Sequence, residues 1–316
     1  MKICVIGAGS LGSTIGGTLA EAGQDVYLID QWKMHVDAIN ENGLIMQDND
    51  VDRHVKVKAR TSCEGIGTAD LVIVLVKSFA TKAAIESATS IIGEETVVLS
   101  LQNGLGNEET IAEVVGEDRI IGGKTYVGGV LLGPGHVNAR TKGKYTYIGE
   151  MNGKLSDRIS KIAEMMTSCG LLTKVTDNIK GMIWDKLLIN VATGPIAAIT
   201  RLPYGDLYQI SEVENTACAA VEEGISVAKA NGAVLSTENP REIWLKAAEG
   251  LPYEFKTSML QSLEKGQKTE IDFINGAVVR WGARSNIPTP VNNALVASIK
   301  GIETWIEKYG QGKLII

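Results

Sequence analysis

The sequence predicts an α/β, Rossmann-type doubly wound domain over residues 1–175, followed by a mostly α-helical second domain over residues 176–316. Three observations predict it. A β-branched run leads into a glycine turn and then a helical stretch at the amino terminus. Apolar runs without alternation recur through the first half, as in strands buried on both faces of a parallel sheet. After Val175 such runs largely vanish and amphipathic helical stretches succeed one another from Asn178 to Lys308.

In order, Lys2 to Ile6 reads as a strand ending at Gly7, and Ser10 to Ala22 as a helix closed by Gly23. A second strand, Val26 to Ile29, ends at Asp30, and a helix follows from about Trp32 to Asn42. Leu71 to Val76 and Thr96 to Leu101 read as buried strands, with helical spacing from Thr81 to Ile92 between them. Further strands are expected near Ile120 to Leu132 and Tyr145 to Gly149. In the second half, breaks are expected at Gly194-Pro195, Pro203, Asn239-Pro240, Pro252, Gly266 and Pro288-Thr289-Pro290.

A chain of 316 residues with 44% hydrophobic and 22% charged residues can fill two cores. Its formal charge of -6 gives no attraction to polyphosphate, so nucleic acid is not expected as a partner. The apolar runs are too short to span a membrane, and no leader precedes the first strand. Cys4, Cys63, Cys169 and Cys218 make no metal-binding pattern, and His35, His54 and His136 have no partners at ligand spacing. No metal is expected, and the histidines read as structural or surface residues. Together these features suit a reduced, cytoplasmic protein.

Gly7-Ala8-Gly9-Ser10-Leu11-Gly12 matches GxGxxG between a strand and a helix, the context in which the pattern marks a dinucleotide site. The first glycine permits the tight turn, the second admits a pyrophosphate to the backbone, and the third lets helix and strand pack closely. Helix N–H groups then bind the phosphates. Without a ligand, the same residues would be only a glycine-rich turn.

Asp30 falls where such folds place the acid that bonds the adenosine ribose, so NADH should be favoured over NADPH. Lys33 lies close enough in sequence to soften that preference. Asp30 could instead serve simply as a helix cap. Lys77 and Asn103 end two further buried strands at the same sheet edge, where ligands of open α/β sheets bind. Taken singly, each could be a surface lysine and a turn signal.

In Ile183 to Asn190, Lys186 and Asn190 stand four apart on one face of an expected helix among Leu187, Leu188 and Ile189. Reduction of a ketone needs a donor for the developing alkoxide, and Lys186 could supply both charge and proton. Asn190 could orient the carbonyl or the nicotinamide. Glu270 is the remaining candidate. The bland alternatives are a partly exposed lysine and a helix-surface acid.

The GAGSLG turn, LQNGLGNEE (Leu101 to Glu109), IWDKLLIN (Ile183 to Asn190), SMLQ (Ser258 to Gln261) and TEIDFINGAVVR (Thr269 to Arg280) together resemble the ketopantoate (2-dehydropantoate 2-) reductase family. The blocks lie in order across nearly the whole chain. The resemblance implies NAD(P)H-dependent reduction of a small 2-oxo acid, and an active site in the cleft between a Rossmann and a helical domain. By it Lys186 is the general acid, and Glu270 contacts the lysine, substrate or cofactor. Asn190 and Ser258 hold substrate, Asn103 lies beside nicotinamide and substrate, and Lys77 contacts cofactor or substrate.

The sequence departs from the best-known members at Gly194 and near Tyr204, where they carry asparagines, and at Asp30, near which they carry a basic residue and use NADPH. Asp30-Gln31-Trp32 resembles instead the NAD-linked D-2-hydroxyacid dehydrogenases of the same family. That activity is one alternative to ketopantoate reduction, and a non-catalytic NAD(P)-binding sensor is another. The carboxyl-terminal helices are apolar enough for a homodimer.

Overall fold

The computed structural model describes residues 1–310. The chain divides into two compact units, residues 1–102 with 107–179, and residues 103–106 with those from 180 onward.

The first unit contains β1 (Lys2–Ile6), α1 (Ser10–Glu21), β2 (Asp25–Ile29), α2 (Lys33–Asn42), β3 (Leu44–Asp48), β4 (Val51–Val55), β5 (Lys58–Arg60) and β6 (Leu71–Val74). It continues with α3 (Thr81–Ser87), β7 (Val97–Ser100), α4 (Asn107–Val115), β8 (Ile120–Thr125), β9 (Gly128–Gly133), β10 (His136–Arg140), β11 (Thr146–Glu150), α5 (Asp157–Ser168) and β12 (Thr173–Val175). Eight strands form one sheet in the order β12-β11-β8-β7-β6-β1-β2-β5. Its run from β8 to β5 is parallel, while β11 lies antiparallel to β8.

Residues of β1 alternate between two cores, Ile3 and Val5 on one face, Cys4 and Ile6 on the other. Burial on both faces explains the unbroken apolar runs. Ile6 is level with Ile29 of β2 on one side and Val74 of β6 on the other. Strand order reverses at β1, so the carboxyl ends of β2, β1, β6 and β7 share one edge, where open sheets bind ligands.

The sequence reading missed a second sheet, β4-β3-β10-β9. Helix α1 packs between the two sheets: a Cβ at Gly16 would meet Leu28 at 2.4 Å, and one at Gly17 would meet Met46 at 2.5 Å. The stretch expected as one helix from Thr81 to Ile92 is α3 flanked by 3-10 turns, Ser78–Ala80 and Thr89–Ile91. Ser87 and Thr89 hydroxyls donate to the carbonyls of Ala84 and Glu86, local bonds that compete with helix propagation.

The second unit is helical: α6 (Ile179–Thr200), α7 (Tyr204–Leu207), α8 (Ser211–Ala230), α9 (Pro240–Ala248), α10 (Ser258–Glu264), α11 (Asn275–Arg284) and α12 (Pro290–Tyr309). Asn239 and Thr257 cap α9 and α10 with their side chains. Gly194-Pro195 was expected to break a helix and does not, because α6 runs through it. Proline lacks the N–H that would reach the Val191 carbonyl. That carbonyl accepts from Asn275 Nδ2 at 3.4 Å instead. Asn275 Nδ2 also donates to Asn292 Oδ1 at 3.0 Å, and the Glu223 carboxylate accepts from Val291 N, Asn292 N and Asn292 Nδ2. This polar chain ties α6, α11, α12 and α8 together. Helix α6 is long and apolar enough to cross a membrane, but 67% of its apolar window is buried within the protein, as in a core helix.

Candidate active site

The turn after β1 has the geometry that its glycines require. Gly7 adopts φ +94° and donates its N–H to Ile29 O at 2.8 Å; a Cβ there would lie 2.6 Å from Val76 N. A Cβ at Gly12 would lie 1.9 Å from the Gly7 carbonyl, so only glycine lets α1 approach β1 this closely. At Gly9, by contrast, a Cβ would meet nothing within 4 Å. Gly9 is also the N-cap of α1, and no side chain caps that end. With no side-chain cap and open space around Gly9, this end of α1 suits a diphosphate. Ala8, Ser10 and Leu11 complete the loop.

Asp30, at the end of β2, accepts a hydrogen bond from Trp32 N at 2.9 Å, while the N-cap of α2 is Trp32 itself and no side chain caps that end. Lys33 pairs with Asp37 at 2.6 Å, one turn along α2. Behind the loop, His35 is fully buried, and burial holds its imidazole below the ordinary value against the pull of Asp30. His54 bonds the Asn42 carbonyl, and His136 lies 3.1 Å from Asp52. Among the described residues no group of three His, Cys, Asp or Glu side chains could hold a metal ion.

Lys77 follows β6 in an exposed position, ahead of the Ser78–Ala80 turn. Buried polar side chains fix this loop to the one after β7. Gln102 Nε2 donates to Val76 O and to Thr81 Oγ1, each at 2.8 Å. The Thr81 hydroxyl lies within hydrogen-bond distance of Ser78 O and Asn107 Oδ1. The segment Asn103–Gly106 groups with the helical unit: Leu105 N donates to Phe273 O at 2.9 Å, and Phe273 N donates to Glu270 O at 2.9 Å. Asn103 is thereby held near the turn that carries Glu270, whose side chain is buried.

Lys186 and Asn190 are both half-buried on α6, between fully buried Leu187, Leu188 and Val191. They share a helix face with Gly194 one turn further on. Met259 packs there, since a Cβ at Gly194 would lie 3.5 Å from its Cε. Ser258, beside it, begins α10 and is exposed. Near Gly194, Tyr204 is buried, donates to Thr193 Oγ1 at 3.1 Å and stacks edge-on against Phe255.

Three buried charges escaped the sequence reading: Lys124, Glu108 and Glu150, the last paired with Arg158. Lys124, near the carboxyl end of β8, places its Nζ 4.9 Å from the Tyr126 ring centroid. Glu108, in the first turn of α4, is pushed up to about 7 from an ordinary 4.5, chiefly by burial and then by Glu109; its own N–H and the Ser100 hydroxyl pull the other way. Glu108 lies in LQNGLGNEE and Lys124 in an apolar strand run, and no periodicity marks either as internal.

A family model described as ketopantoate reductase PanE/ApbA matches residues 3–153, and the model of that family's C-terminal part matches residues 178–303. A 2-dehydropantoate 2-reductase of Pyrococcus horikoshii is 38% identical over 304 residues, covering 96% of this chain and 98% of the relative. Among solved structures, a PanE/ApbA family ketopantoate reductase from Ralstonia eutropha JMP134 is 34% identical with a TM-score of 0.89, over 97% of this chain and 100% of the other. A ternary structure of D-mandelate dehydrogenase with NADH and anilino(oxo)acetate is 27% identical with a TM-score of 0.90, over the same shares.

The contrast between Gly9 and Gly12 is testable. Gly9→Ala should fold normally and lose roughly tenfold or more in dinucleotide affinity, whereas Gly12→Ala should lower the melting temperature itself. Thermal melts beside NADH titrations check both. For Glu108 the folded carboxyl ionises near 7 and the unfolded one near 4.5, so its contribution to stability falls as pH rises through that window. Glu108→Gln should therefore melt a few degrees above the unaltered protein at pH 8, with the gap shrinking toward pH 5; melting curves at both pH values check it.

Proposed function

Because the chain belongs to the ketopantoate reductase family, and is therefore an NAD(P)-dependent oxidoreductase acting on CH–OH groups, we propose that it reduces 2-dehydropantoate to (R)-pantoate with Lys186 as general acid. The observation that carries the assignment is a half-buried lysine on the core helix α6, one turn before Asn190.

A nicotinamide, when bound, would supply hydride to C2 of the ketone. The Lys186 ammonium lies against the ketone oxygen as charge develops there, and transfers a proton to it, leaving the alcohol and a neutral amine. Asn190 donates from its amide to orient the carbonyl. Glu270 holds the lysine and the bound ligands, Ser258 and Asn103 bind substrate, and Lys77 binds the cofactor. Gly7 to Gly12 take the diphosphate at the start of α1. The Asp30 carboxylate accepts from the adenosine ribose hydroxyls and repels a 2′-phosphate, favouring NADH. The site operates in the cytoplasm, in a homodimer, and takes no nucleic acid or membrane partner.

A second reading, an NAD-dependent D-2-hydroxyacid dehydrogenase, is favoured by Gly194 beside Met259 and by buried Tyr204, which make this part of the helical unit apolar. Steady-state rates with ketopantoate and with 2-oxoisocaproate, each with NADH and NADPH, separate the two. Ketopantoate should be turned over better; equal turnover would favour the second reading.

Lys186→Ala should lower kcat by roughly 100-fold while NADH affinity changes little, which single-turnover kinetics and fluorescence titration check. Asp30→Ala should narrow the NADH-to-NADPH ratio of kcat/KM severalfold; an unchanged ratio would remove the carboxylate from the ribose site.

A further inference from the structure

Three hydrogen bonds run in line behind the phosphate-binding turn. Gly135 N donates to His35 Nδ1 at 2.9 Å. His35 Nε2 lies 3.1 Å from Ser13 Oγ, and Ser13 Oγ donates to the Ala8 carbonyl at 2.7 Å. The proton order follows from the donors. A peptide N–H can only donate, so Nδ1 accepts and the ring proton sits on Nε2. Nε2–H then donates to Ser13 Oγ, whose own proton points at Ala8 O. The ring is neutral in this arrangement, because a proton on Nδ1 would confront the Gly135 N–H.

The last bond of the line lands on the turn itself. Ser13 N already bonds the Gly9 carbonyl within α1, while the Ser13 hydroxyl reaches one residue further back, to Ala8. In a trans peptide the N–H points opposite to the C=O. Drawing the Ala8 carbonyl inward therefore turns the Gly9 N–H outward, at a residue whose Cα has open space around it. The ring is itself clamped: Trp32 stacks on it at 5.2 Å with 5° between planes, His35 N donates to Trp32 O, and Asp30 accepts from Trp32 N. His35 and Ser13 are both fully buried, so no water competes for these bonds.

We propose that His35 is a positioning residue for the dinucleotide: acting through Ser13, it fixes the Ala8–Gly9 peptide so that the Gly9 N–H is set toward the diphosphate. The role rests on the dinucleotide reading of the GAGSLG turn. It also gives the β9–β10 turn, through Gly135, a hold on the cofactor loop.

Three variants separate positioning from mere filling of the core. A glutamine amide can replace Nε2 as donor to Ser13 but loses Gly135, whereas an asparagine amide can replace Nδ1 as acceptor from Gly135 but loses Ser13. In NADH fluorescence titrations of the whole protein, Ser13→Ala and His35→Asn should each raise Kd roughly five- to tenfold, about one lost buried hydrogen bond. His35→Gln should stay within about threefold of the unaltered protein. The loss should appear in KM for NADH and far less in kcat at saturation. Affinity retained in both Ser13→Ala and His35→Asn, or glutamine binding as weakly as asparagine, overturns the proposal. Should the His35 variants fail to fold, Ser13→Ala decides alone. Failure of the unaltered protein to bind NADH or NADPH would instead overturn the dinucleotide reading itself.

Discussion

The first unit depends on how closely the start of α1 can lie on the end of β1. Gly12 sits so near the Gly7 carbonyl that a single added carbon would overlap it, and Gly16 and Gly17 repeat the demand one turn on, against Leu28 and Met46. Burial of α1 between two sheets follows from that thinness: a helix with glycine on opposite faces can be approached from both sides. The same approach aims the uncapped end of α1 along the sheet edge where strand order reverses. The close packing of α1 and the placing of its uncapped end are thus one geometric fact.

The helical unit is organised by a different constraint. Proline in the middle of α6 leaves the Val191 carbonyl without its helical donor, and the buried amide of Asn275 supplies another. Asn275 is itself held by Asn292, and Asn292 by Glu223, so one irregularity in α6 is absorbed by contributions from three other helices. An apolar helix with such support can carry Lys186 and Asn190 at fixed positions, since buried neighbours on either side prevent it from rolling.

The fold class, the glycine turn after β1 and the helical second half were legible in the residues because each rests on a local rule: glycine punctuation, unbroken apolar strands, helical spacing. Most candidate site residues came from blocks such as IWDKLLIN, where a family resemblance supplied roles that spacing alone left open. The second sheet was hidden because its strands are short and partly exposed, and β4 carries three polar residues in a row, Asp52, Arg53 and His54, with no alternation to mark a strand. One local signal was there: Asn49 and Asp50 both take positive φ between β3 and β4, the signature of a tight hairpin turn. Gly194-Pro195 misled for the opposite reason, because the partner that rescues it lies 84 residues away in sequence from the carbonyl it satisfies. Glu108 and His35 became visible only through burial, which no local pattern encodes.

The dependence of α8 on α12 bears on synthesis at the ribosome. Among the described residues the carboxylate of Glu223 takes its amide donors from Val291 and Asn292, so it waits until nearly all of the chain has emerged. The sheet unit, whose strands are all made by Val175, can close long before that. Nascent chains should therefore pass through a stage in which a finished sheet half trails an unsettled helical one, and protection from proteolysis in the latter would come late and all at once.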